Sequence, residues 1–140
     1  MSRSVFKWQD VGPIMISCAT AGPIDDAEWR AFAKDLSTKN LRGYLSSVVG
    51  SVEVSSVQRK LVVDMLKEKN IPTVVITDAA LVRGFITAAN WFGAPVKGFS
   101  WSEVDKAIAS FGQSKSLEER VREALKSLRV SCVAAAGRNV

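Results

Sequence analysis

Apolar positions recur along this chain with two periods, and their alternation predicts its architecture. Phe6 and Trp8 alternate with polar neighbours up to Gly12-Pro13, the pattern of a half-buried edge strand. Ile14 to Thr20 is more continuously apolar and suits an inner strand, so the two are expected to form a hairpin about Gly12-Pro13. After the breaker cluster Ala21-Gly22-Pro23-Ile24-Asp25, the period changes. Trp29, Phe32, Ala33 and Leu36 follow helical spacing, and Asp25 with Glu28 opens that helix in the manner of a capping box. Leu41 to Val49 predicts a third strand, ended by Gly50. A helix is expected from Ser56 to about Lys69, with Val57, Leu61, Met65 and Leu66 facing inward, until Pro72 prevents its continuation. Thr73 to Thr77 is a short β-branched run, too short for a helix. Asp78 then caps a helical pattern carrying Leu81, Val82, Phe85, Ile86, Ala89 and Phe92, which closes at Gly93. Val96 to Phe99 predicts a last strand, and Ser100 with Glu103 opens a helix lined by Val104, Ala107, Ile108 and Phe111.

The resulting order is β-β-α-β-α-β-α-β-α. Such alternation with short connections predicts an α/β fold with a mixed, mostly parallel sheet of five strands, to which the opening hairpin contributes the antiparallel pair. This α/β domain is assigned to residues 1–112. Residues 113–140 form a further amphipathic helix and tail, helical from Ser116 to about Cys132, with a stripe of Leu117, Val121, Ala124, Leu125, Leu128 and Cys132. Left in water, that stripe is an interaction-prone patch, and it must dock either on the chain's own sheet or on another subunit. The expectation is a homodimer held by Leu117, Val121, Leu125 and Leu128.

Composition narrows the chemistry. The chain has 140 residues, 47% hydrophobic and 24% charged, as for one ordinary globular domain. No apolar run is long enough to span a bilayer, and Met1 to Trp8 lacks the apolar core of a secretory signal, so a cytoplasmic location is expected. Histidine is absent, which removes the commonest general base and metal ligand. Cys18 and Cys132 stand far apart, so no zinc spacing, redox pair or disulfide framework can be drawn, and both are expected as small buried hydrophobes. The net charge of +5 owes much to Lys115, Arg120, Arg122, Lys126, Arg129 and Arg138, set against three glutamates; the body is mildly basic, and nucleic acid is not an expected partner. No glycine-rich phosphate loop occurs, and no cofactor or metal is expected. Asp25, Asp26 and Asp78 resemble the carboxylates of a phospho-acceptor site, but the third strand ends in Val48-Val49-Gly50 without an acceptor, and helix capping accounts for all three.

The candidate chemistry gathers at Ser55-Ser56, two hydroxyls opening a helix just after a strand. Exposed N–H groups and the positive end of the helix dipole favour an anion there, so a phosphoserine would be stabilised and the position suits a switch. The competing reading is local: Ser55 with Gln58 fits a capping box, which any helix start can use. Trp91 falls off its helical stripe and Trp101 similarly follows a strand end; exposed tryptophans are enriched where partners dock, which makes Trp91 a candidate contact, but packing against the next loop is the stronger expectation.

This element order, with Val54-Ser55-Ser56-Val57 opening the helix after the third strand, resembles the STAS domain over Val5 to about Gly112. That family includes bacterial anti-sigma factor antagonists and cytoplasmic domains of sulfate transporters. Its usual motif at this helix start is Asp-Ser-Ser-Gly or Asp-Ser/Thr-Gly; here Val54 stands for the aspartate and Val57 for the glycine. The resemblance implies a non-enzymatic regulatory module that binds a protein partner, with Ser56 at the position kinases phosphorylate, Ser55 beside it, and Ser55, Ser56, Val57 and Trp91 at the contact. The order also resembles the bacterial STAS/SEC14-like proteins, which implies an alternative: a protein that binds a small apolar ligand or lipid.

Overall fold

The computed structural model describes residues 3–78 and 96–138. β1 (Phe6–Val11) and β2 (Ile14–Pro23) pair antiparallel across the predicted Gly12-Pro13 turn. β3 (Gly43–Glu53), β4 (Thr73–Ile76) and β5 (Val96–Phe99) each add parallel to the strand before, giving the spatial order β1-β2-β3-β4-β5. The helices described are α1 (Asp26–Thr38), α2 (Ser56–Glu68), α3 (Val104–Ala109), entered through a 3-10 turn at Trp101–Glu103, and α4 (Lys115–Arg138). This is the mixed, mostly parallel α/β sheet that the alternation predicts. The helix expected over 78–93, with Phe85 and Trp91, lies outside the described residues.

Period-two alternation divides the strand side chains between two cores. On one face Met15, Ala19 and Tyr44 meet Trp29, Phe32, Ala33 and Leu36 of α1 and Val62 and Leu66 of α2. On the other, Ile14, Ile16, Cys18, Leu45, Val74 and Ile76 meet Ala107 and Ile108 of α3 and Leu117, Val121, Leu125, Leu128 and Cys132 of α4.

The second core corrects the assignment of Leu117, Val121, Leu125 and Leu128 to a subunit interface. All four are buried inside their own chain. The cause is topological. Crossovers of one hand between strands laid down in one direction put α1 and α2 on the same face of the sheet. The opposite face of β1 and β2 then has no cover until α4 arrives, and α4 packs against both strands. Residues 113–138 therefore complete the domain assigned to 1–112 rather than hang from it.

β3 also runs beyond its expected end, through Gly50 to Glu53. Its last residues pair Val52 with Gly22 and Glu53 with Pro23, after a slip of register between Thr20 and Gly22. Gly50 sits at φ +87°, where a side chain is strained, and an added Cβ would lie 3.3 Å from that of Ala21. Here glycine carries the strand past an irregularity instead of ending it.

Candidate functional site

β3 delivers the chain to the first turn of α2 at the carboxyl end of the parallel strands, the edge where open α/β sheets place their working groups. Ser55 is the N-cap, in extended conformation. Its Oγ accepts the Gln58 N–H at 3.1 Å, and Gln58 Oε1 accepts the Ser55 N–H at 3.0 Å, completing the capping box. Gln58 is buried and fully engaged: Nε2 donates to Ile24 O at 3.0 Å and to Asp26 Oδ1 at 2.7 Å, and its backbone carbonyl accepts the Trp29 indole N–H at 2.8 Å. Asp26 is thus an anchor between α1 and α2, while Asp25 caps α1 by accepting the Glu28 N–H at 3.1 Å.

These bonds fix how α2 is turned, and they correct the expected inward face. The buried positions are Gln58, Val62, Val63 and Leu66, with Met65 half-buried. Val57 is 78% exposed and Leu61 is 41% exposed, one helical turn apart. Both point to solvent because a polar residue, satisfied on four sides, occupies the inward position.

The two hydroxyls therefore differ in kind. That of Ser55 belongs to the cap. Ser56 is exposed, and its hydroxyl has no hydrogen bond among the described residues. The first turn of α2 carries no acidic side chain, so a negative charge added at Ser56 meets the helix dipole without a like-charged neighbour in that turn. Ser55→Ala is expected to cost about 1 kcal/mol of stability, and Ser56→Ala less than about 0.5 kcal/mol. Urea titration of the two variants checks the order, and equal losses would contradict this division of roles.

Trp101 is engaged within the chain: its indole N–H donates to Val48 O at 2.8 Å, and the Arg129 guanidinium lies 4.0 Å above its ring. Trp91 lies outside the described residues. Between the sheet and the later turns of α2, a cavity of about 80 Å³ is lined by apolar side chains, among them Val48, Val52, Val54, Val62, Val63 and Val75. Tyr44, also on its wall, shares a 2.7 Å hydrogen bond with Ser17, and burial pushes its phenol up to about 12, so it stays neutral. No protein-family model and no curated protein matches this chain.

One pairing escaped the sequence reading. Cys18 of β2 and Cys132 of α4 are both free and fully buried, and they lie in the same core cluster. The Cys132 thiol donates to Val5 O at 3.2 Å and to Cys18 O at 3.4 Å. The signal available was that both residues sit on predicted apolar stripes; only the docking of α4 on β2 shows that those stripes face each other.

Proposed function

We propose that this chain is a non-enzymatic regulatory module that binds a protein partner through the first two turns of α2, with Ser56 as the position where added charge controls binding. The observation that carries this reading is the exposed apolar pair Val57 and Leu61, lying beside a serine hydroxyl that the fold leaves unengaged. Apolar side chains ringed by polar ones, such as Lys60, Asp64 and Ser56 here, are the composition of a docking patch rather than of an ordinary solvated face. The resemblance of Val54-Ser55-Ser56-Val57 to the STAS motif supports the same reading. Val57 in place of glycine puts a β-branched side chain where backbone contact is usual, so the partner must present a surface that accepts it.

A photo-crosslinking amino acid at Val57, introduced into the full chain in its native host, is expected to capture a discrete partner. Ser56→Asp is expected to change the yield of that species at least fivefold while leaving the melting temperature within a few degrees. A discrete species whose yield ignores Ser56→Asp would remove the switch. Absence of any species from Val57, with capture from a probe on another face, would remove the surface.

The cavity favours a second reading, the binding of a small apolar molecule. At about 80 Å³ it is near half the size of the roughly 150 Å³ cavity that takes up benzene, so it suits a ligand of a few carbon atoms and not an acyl chain. Native mass spectrometry of the purified chain separates the two readings: a retained small ligand supports the second, and the bare chain supports the first.

A further inference from the structure

Neither cysteine has a part in the proposed docking surface, and their meeting asks for its own account. We propose that Cys18 and Cys132 form an intrachain disulfide when the protein meets a small peroxide, stapling α4 to β2. Three features of the structure support this. The Cys132 sulfur lies 3.4 Å from the backbone carbonyl oxygen of Cys18 itself, so the residues to be joined already share one niche. Both stem from elements held by a common core of Ile14, Ile16, Leu125 and Leu128, so β2 and α4 hold the two residues in one packed layer, and the proposal requires their side chains to turn until the sulfurs form a bond of about 2.05 Å. Finally, no residue from Val133 to Gly137 is buried. The end of α4 beyond Cys132 therefore opens without loss of core, and such an opening admits a molecule as small as hydrogen peroxide.

The environment assigns the order of events. The neighbouring Cys132 thiol, assisted by the Ser47 hydroxyl and the Arg129 charge and opposed by burial, holds the Cys18 thiol below the usual range; the Cys18 side chain and burial push Cys132 up. Cys18 as thiolate attacks one peroxide oxygen, the O–O bond breaks, and the departing hydroxide takes a proton to leave as water. Cys132 then gives up its proton and attacks the sulfenic sulfur of Cys18, the S–S bond forms, and the sulfenic oxygen leaves as a second water. Two thiols lose two electrons in total, and the peroxide gains them.

The test uses the folded full chain, freed of reductant, treated with hydrogen peroxide, quenched and weighed intact without reduction. The expected result is a monomer lighter by about 2 Da, with one peptide pair joined through Cys18 and Cys132, restored to the starting mass by dithiothreitol. In Cys132→Ser the reaction is expected to stop at the sulfenic acid on Cys18, trapped by dimedone; should that variant fail to fold, the wild-type mass decides alone. An unchanged mass, gain of oxygen without the 2 Da loss, or a disulfide between two chains would overturn the proposal.

Discussion

Phe32→Ala is expected to lower the free energy of unfolding by about 3 to 5 kcal/mol, at the upper end of what a buried phenylalanine costs. Phe32 is fully buried, with ring centroids of Phe6 at 5.0 Å, Trp8 at 5.6 Å, Trp29 at 5.5 Å and Tyr44 at 5.3 Å. The price of such a truncation depends on how far the neighbours collapse into the space left. Here three of the four are tethered: the Trp8 indole N–H to Asp35 at 2.8 Å, the Trp29 indole N–H to Gln58 O at 2.8 Å, and the Tyr44 hydroxyl to Ser17 at 2.7 Å. Moving Trp29 or Tyr44 inward breaks a hydrogen bond in a buried place, and moving Trp8 breaks one at a half-buried place. The cavity therefore stays open, and the loss is a large part of the roughly 5 to 15 kcal/mol that holds a domain together. Denaturant titration with an unchanged slope measures it. A loss below about 1 kcal/mol would mean that the cluster repacks and that the tethers do not hold.

Comparison of α1 with α2 shows why one helix face was legible in the sequence and the other was not. In α1 every buried position, Trp29, Phe32, Ala33 and Leu36, is apolar, and hydrophobic spacing marks them directly. In α2 the inward row begins with Gln58, while Val57 and Leu61 stand in water. Periodicity assumes that polar groups face out, and it has no means of recognising a glutamine whose side-chain amide finds partners on Ser55, Ile24 and Asp26 while its backbone carbonyl accepts from Trp29. The misreading hid the apolar pair that now carries the functional proposal. The capping role of Ser55 was legible, since Ser55 and Gln58 are three apart, and the freedom of Ser56 follows from it. Gly50 misled for a related reason: glycine ends many strands, and only the slip opposite Ala21 shows that this one continues. Cys18 and Cys132 are 114 positions apart, and no local pattern carries a contact of that span.

Leu125→Ala is expected to cost about 2 to 5 kcal/mol, and to cost the same at every protein concentration. The second half of that expectation is the more informative. A helix stripe buried between subunits stabilises by mass action, so a chain held together that way loses stability on dilution, and a truncation in the stripe shifts that loss to higher concentration. A stripe buried within one chain has no such dependence. Leu125 lies in the core that joins Ile14 and Ile16 of the sheet to Val121 and Leu128 of α4, and it is 2% exposed in a single chain. The exposed side of the same helix carries Val130 and Val133 with charged neighbours, and offers no comparable stripe to a second copy. Thermal unfolding of the parent and of Leu125→Ala across a hundredfold range of concentration makes the distinction. Coincident curves for each protein, separated from one another by the cost of the lost methyls, would place α4 in its own domain. Midpoints that fall together on dilution would return the stripe to an interface between subunits.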